Sequence, residues 1–385
     1  MAKDEPAWIS QANNAFAIDL YSKLAAEKRD NLFFSPNSIE TALIMTYAGA
    51  RGKTAAQMAT VLHLPPGDEP IHKDLGDFLG RLNATTTADG KPRGYQLSVA
   101  NALWGEKGYA FLPGFVSLLK TNYGAGLEEV DFEHNPEGAR QTINAWVEKQ
   151  TADKIQDLIG QGVLTSETRL VLTNAIYFKG TWVSPFDKRY TQDEPFHLSG
   201  GSEKNVPMMR HTGDYGYMED PDFQALLLPY EGFELSMIVL LPRRVDGLPA
   251  LERELTPEKL SDAFGKIGNE QVDVSMPRFR MTGEFQLKST LVSMGMPNAF
   301  QATANFSGMT GKDDLKISNV IHKAFVEVNE EGTEAAAATA TVMGLATAMG
   351  PRETMLFRAD HPFLFVIRDE KSGAILFMGR FVKPN

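Results

Sequence analysis

Glu330-Glu331-Gly332-Thr333-Glu334, continuing through Ala335-Ala336-Ala337-Ala338-Thr339-Ala340-Thr341-Val342-Met343-Gly344-Leu345-Ala346-Thr347-Ala348-Met349, is the stretch on which the reading of this chain turns. It opens with charge, bends at Gly332 and then offers only small or modest side chains before Pro351. Glu and Ala are good helix formers, so propensity alone gives a helix. Gly332 and Thr333 interrupt its start, Thr339, Thr341 and Val342 are β-branched, and no apolar stripe is present to dock it on a core. A long segment of this kind belongs at the surface, as a loop or as a linker.

The residues beyond Pro351 separate the two. Phe363 to Ile367, a turn through Glu370-Lys371-Ser372-Gly373, and Ile375 to Met378 read as a strand pair. Continuous apolar runs mark strands buried on both faces, so this pair completes a core laid down earlier. The loop is therefore tied at both ends into one folded body. Long structureless loops inside such bodies are uncommon and usually functional.

Glu330 to Ala340 resembles the hinge of the serpin family in its inhibitory form. Four further stretches resemble family motifs in family order: Asn31 to Ile39, Tyr47 to Thr54, Asn174 to Trp182 and Phe377 to Phe381. Together they span nearly the whole chain. The resemblance implies an α+β fold with three β-sheets, eight or nine helices and an exposed reactive-centre loop over about 330–356. It also implies an inhibitor of serine proteases that acts as a suicide substrate. The protease cuts the loop, an acyl-enzyme forms, and the freed loop enters the main sheet as an added strand, a mode known for serpins.

Composition agrees with that outline. The 385 residues carry no linker, repeat or low-complexity block apart from the Ala/Thr loop, so one domain over 1–385 is the reading. Net charge is −11 with no Lys/Arg-rich run, which disfavours nucleic acid as a partner. Some serpins are activated by polyanions through a basic helix. The matching region, about Ile71 to Gln96, mixes Lys73, Arg81, Lys91 and Arg93 with Asp74, Asp77 and Asp89, so no polyanion activator is expected. Cysteine is absent, which excludes disulfides, thiol catalysis and thiolate-bound metal. No apolar run is long enough for a membrane span. The start, Met1 to Pro6, has no apolar signal core, leaving the compartment open: cytoplasmic, or extracellular or periplasmic if a signal has been removed. Asn83-Ala84-Thr85 and Asn305-Phe306-Ser307 fit the glycosylation pattern, which matters only in a eukaryotic secretory pathway. A cofactor-free monomer is the default.

Along the chain, Trp8 to Lys28 shows helical spacing and Asn31 to Phe34 is a short strand. Ser35-Pro36 opens a second helix, capped by Ser35 or Asn37, whose run from Ala42 to Gly49 is apolar nearly all round. Gly52-Lys53-Thr54 lacks the earlier glycine of a phosphate loop, because position 47 is Tyr; a turn between helices is the better reading. Helices are expected at Gln57–His63, His72–Leu82, Pro113–Tyr123, Glu137–Lys149, Ile155–Ile159, Leu251–Phe264 and Phe285–Met294. Strands are expected at Gln96–Trp104, Leu170 to about Trp182, Val206–Met209, Tyr215–Met218, Ala225–Tyr230, Glu234–Leu241, Val272–Met276 with Phe279, and Ile321–Asn329. Helices first and strands later indicate α+β.

No enzyme constellation stands out. The seven histidines include no His-Glu-x-x-His and no pair at helical ligand spacing, and no Gly-x-Ser-x-Gly elbow is present. The loop itself suits strand insertion. With alternating faces, Thr333, Ala335, Ala337, Thr339 and Thr341 turn inward without charge or bulk, and Glu334 turns outward. Positions 332–350 contain no proline, so no ladder donor is lost. A new central strand adds on the order of a dozen hydrogen bonds at roughly 0.5–1.5 kcal/mol each. That rivals the stability of a whole domain, so the uninserted fold must be kinetically trapped.

The resemblance also assigns roles. Glu330, Glu331, Gly332, Thr333, Glu334, Ala335, Ala336, Ala337 and Ala338 form the hinge. Trp182, Arg278 and Glu330 hold the head of the main sheet (the breach). Ser35, Ser38, Asn174 and His322 form a buried polar cluster beneath the strands that part (the shutter). The family ruler counted from Glu330 places the reactive bond at Ala346–Thr347. Counting back from Phe357 lands nearer Met349, and Met343 and Leu345 stay open. Small and medium apolar residues there suit elastase-like, subtilisin-like or chymotrypsin-like enzymes. The other readings are a non-inhibitory relative (carrier, chaperone or storage protein), which tends to carry bulky, charged or proline residues in the hinge, and a hydrolase, which has no motif behind it.

Overall fold

The computed structural model describes residues 5–66, 70–87, 90–124, 127–333 and 353–384. Among the described residues its main sheet has six strands in the order Phe279–Gln286, Asn319–Asn329, Gly332–Thr333, Leu170–Thr181, Tyr95–Glu106 and Leu127–Val130. Both faces are covered, so Leu170 to Phe178 is buried at every position, with Thr173 and Asn174 polar among apolar neighbours. Leu170, Leu172, Ile176 and Phe178 join the large core, while Val171 and Ala175 join a smaller one. The smaller core is closed by helix Pro136–Gln150 through Ile143 and Val147, and by Ile155, Leu158 and Ile159.

The two central strands pair directly and in parallel from Asn319↔Val171 to Phe325↔Tyr177. Above that seam the pairing changes. Gly332–Thr333 lies between them, antiparallel to both, with Val328↔Thr333 and Asn329↔Gly332 on one side and Gly332↔Thr181 and Thr333↔Gly180 on the other.

The remaining strands form one nine-stranded hydrogen-bonded network, where the family resemblance implies two sheets. The 17-residue strand Glu203–Glu219 runs them together. It pairs with Gln192–His197 at its start, Gly268–Pro277 along its middle and Phe223–Pro229 at its end. Ten α-helical segments occur among the described residues, several of them two turns or less.

Most expected elements are present, with local differences. Ile155–Ile159 is not helical: Ala152, Asp153 and Asp157 have positive φ, and the segment bonds instead to the neighbouring helix, Ile159 N–H donating to Asn144 Oδ1 at 2.8 Å. Phe285 lies near the end of a strand whose residues alternate buried and exposed, and the helix there starts only at Lys288. Leu251–Phe264 is two short helices, Leu248–Arg253 and Pro257–Gly265, the second capped by Thr256. Val206–Met209 and Tyr215–Met218 belong to one strand. Gly52 opens helix Gly52–Val61 with φ +53°, and Thr54 is buried with its hydroxyl accepting the Asn305 N–H, a structural role.

Candidate functional site: the head of the main sheet

Strand Asn319–Asn329 ends where the Asn329 side-chain oxygen accepts the Glu331 N–H at 3.0 Å, and the chain turns back. Gly332 is required at the turn. Its φ is +153°, and a Cβ there would stand 2.0 Å from the Gly180 carbonyl oxygen. Thr333 is fully buried, and its hydroxyl is 2.7 Å from that of Tyr230. Thr333 thus takes the core-facing side, as alternation predicts.

Trp182 anchors the turn twice. Its backbone N–H donates to the Glu331 carbonyl and its indole N–H to the Asn329 carbonyl, both at 3.0 Å. The indole stacks on Tyr230, with centroids 4.5 Å apart and 14° between planes. Gly180 makes room for this pair, since a Cβ there would meet the Tyr230 ring at 2.7 Å.

Glu330 is only 2% exposed. Its carboxylate accepts the Thr191 hydroxyl at 2.8 Å and faces the Arg278 guanidinium at 3.6 Å, and its carbonyl accepts the Phe186 N–H at 2.8 Å. Arg278 is itself 48% exposed, so this ion pair contributes under about 1 kcal/mol. Thr191 is the closer partner. Glu331 carries a second pair outward, to Lys188 at 2.6 Å. Trp182, Arg278 and Glu330, singled out in the sequence, therefore do meet; Tyr230, Thr191 and Lys188 complete the arrangement.

Lower in the sheet, cross-strand register puts Asn101, Asn174, His322 and Phe285 in one row. Ser35 and Ser38, at the start of helix Pro36–Tyr47, face this row from below. The Ser35 N–H donates to His322 Nε2 at 3.1 Å, so the ring proton sits on Nδ1 and is donated to the Asn174 side-chain oxygen. The Asn174 amide donates to Ser38 Oγ at 2.6 Å and to Asn101, and Ser38 Oγ donates to Asn101 Oδ1 at 2.9 Å. Burial pulls the His322 pKa down to about 3, against the smaller opposing effect of the Asn174 bond. The His322–Asn174 bond spans the seam between the two parallel strands. All four expected members are brought together, and Asn101 joins them.

Glu334 to Ala338, Met343, Leu345, Ala346, Thr347 and Met349 lie outside the described residues. The chain resumes into strand Met355–Arg358, parallel to Gly268–Pro277. In the region matching the polyanion helix, Arg81 is bonded to Asp369 at 2.7 Å and to Glu5, and Arg93 faces Glu234 at 3.3 Å.

The family model for serpins, described as serine protease inhibitors, matches residues 11–384. The chain belongs to the serpin family. This serpin is 45% identical to human leukocyte elastase inhibitor over 387 residues, covering 98% of this chain and 99% of that protein. Its fold matches uncleaved ovalbumin with a TM-score of 0.87 at 33% identity, covering 98% and 100% of the two chains. Human thyroxine-binding globulin complexed with thyroxine matches with the same TM-score at 29% identity, covering 98% and 99%. Relatives of one architecture thus include an elastase inhibitor and a thyroxine-binding protein. In this serpin, four members of the site escape sequence reasoning. Tyr230 and Asn101 sit in ordinary strand patterns, and Lys188 and Thr191 lie in a polar stretch without periodicity; only the tertiary fold sets them beside Glu330 to Thr333 and the buried cluster.

Proposed function

We propose that this serpin inhibits serine proteases as a suicide substrate. The single observation that carries the reading is the seating of Gly332–Thr333 between the two central strands, in antiparallel register with both. The protease serine oxygen attacks the scissile carbonyl, Ala346 by the hinge ruler. The peptide bond breaks, the new amino terminus leaves, and an ester links the loop to the enzyme. The freed hinge then continues the strand it has already begun.

Continuing the register gives each residue its place. Glu334 falls opposite Lys179, with Glu327 on its other side. Ala335 and Ala337 enter the core-facing row, and Thr339 arrives between Asn174 and His322. That is a favourable match. The Asn174–His322 bond must break for a strand to pass, and a hydroxyl at position 339 re-satisfies both partners, which an apolar side chain could not. Each inserted residue also replaces one parallel ladder with two antiparallel ones, the slightly stronger kind. The ester is carried down the sheet before water reaches it.

Incubation with elastase, subtilisin, chymotrypsin and trypsin, followed by a denaturing gel, tests the reading. A denaturant-resistant band at the summed mass is expected with at least one enzyme. Clean cleavage by all that cut would instead place the protein with the non-inhibitory relatives. Thr333→Arg puts a charged chain where a buried hydroxyl now sits. It should turn inhibitor into substrate while leaving the association rate nearly unchanged, and a covalent complex of undiminished yield would overturn the insertion step.

A further inference from the structure

Six large apolar side chains are exposed among the described residues, and the three most exposed are Phe233 (65%), Tyr190 (59%) and Leu356 (56%). All three border the ends of the loop. Tyr190 lies between Lys188, paired with Glu331, and Thr191, bonded to Glu330. Phe233 donates its N–H to the carbonyl of Tyr230, whose hydroxyl meets Thr333. Leu356 belongs to the strand at which the far end of the loop is anchored.

Phe233 carries a second signal. It occupies the tight turn between strands Phe223–Pro229 and Leu235–Pro242, where Gly232 and Phe233 have φ of +88° and +56°. Turns of this hand are made by Asn, Asp and Gly. A bulky aromatic in that conformation is strained, and this one gains no burial in return. Strain retained at a solvent-facing position points to a contact the free chain does not make. Aromatic side chains are also the group most enriched in the energetic centres of protein interfaces.

We infer that Tyr190 and Phe233 form an accessory docking surface for the body of the target protease, outside its substrate cleft. The inference rests on the protease-inhibitor reading for its partner. Tyr190 and Phe233 stand beside the partners of Glu330, Glu331 and Thr333, the residues from which the loop departs, so an enzyme held on the loop is tethered next to them. Because insertion then carries the enzyme away along the sheet, the contacts exist only in the encounter complex. They set how fast the loop is cut and leave the trapped product unaffected.

The test uses the protease of the four that cuts the intact chain fastest, and the second-order rate of loop cleavage. In the double variant Tyr190→Ser/Phe233→Asn that rate should fall about tenfold, a typical loss for two interface anchors. The fraction of cleaved chain that ends in the covalent complex should not change. The melting temperature should hold or rise, since Asn tolerates the turn conformation better than Phe. Val292→Ser, on the helix beyond the opposite end of strand Phe279–Gln286, is the control and should leave the rate unchanged. A double-variant rate within about twofold of the parent overturns the inference, and so does an equal loss in the control. Cleavage is read whether or not trapping occurs, so a parent chain that is cut but never trapped overturns the inhibitor reading alone. A parent cut by none of the four overturns both.

Discussion

At the scale of single residues, His322 decides most. It accepts from Ser35 through one nitrogen and donates to Asn174 through the other, so a second ring proton would confront the Ser35 N–H. With its pKa held near 3, against an ordinary 6.5, the folded chain refuses a proton that the unfolded chain accepts. This contribution is therefore whole above about pH 6.5 and is lost as pH falls towards 3, by at most about 1.4 kcal/mol per unit. Urea midpoints between pH 7 and 4 should fall more steeply for the parent than for His322→Gln. At pH 7, His322→Ala should cost about 2–4 kcal/mol in the same measurement, because it orphans two buried partners and leaves a void. Ser35, Ser38, Asn174 and His322 are legible from motif resemblance. Asn101 is not, because strand alternation marks a facing side and not a partner on another strand.

At the scale of elements, helix Pro36–Tyr47 leads into the run from Ala42 that is apolar nearly all round and is buried in the fold, yet it contains Glu40, 3% exposed, whose Oε1 has no hydrogen-bond partner among the described residues. Burial pushes this carboxyl well above its usual range. The folded state therefore keeps the proton, and stability is lost as pH rises through the unfolded carboxyl range, the reverse of His322. Glu40→Met, similar in volume, should raise stability by about 1–3 kcal/mol at pH 7 and by much less at pH 4, as thermal melts at both pH values will show. Elements with strong periods are legible and weak ones are not. Strand Gln192–His197 is polar, sits at an edge and contains Pro195, so neither alternation nor propensity marks it. The apolar residues Ile155, Leu158 and Ile159 mimic a helix because a loop pressed onto a sheet also buries every third or fourth side chain.

At the scale of the whole molecule, the proposed mechanism requires the native sheet to lie above its best-bonded arrangement. Chain nicked near Ala346 should melt about 15 °C or more above intact chain by calorimetry, and equal melting temperatures would remove the stored energy. Thr339→Val should lower the nicked form's melting point while leaving the intact form's unchanged, if the hydroxyl rejoins Asn174 and His322 after insertion. The gross fold is readable because its hydrophobic runs and motifs are local signals. The fusion of two sheets by Glu203–Glu219 is not, because it depends on which strands each part of that segment pairs with. Gly332–Thr333 bears on speed as well as on endpoint. A crack that already has a tip grows without having to start, and the two residues seated above the 319–325/171–177 seam are such a tip. In the proposed insertion, opening advances one rung at a time, with resistance spread along the seam and concentrated at the His322–Asn174 rung. A side chain at 332 would blunt the tip, and the toll would fall on how quickly an enzyme is caught.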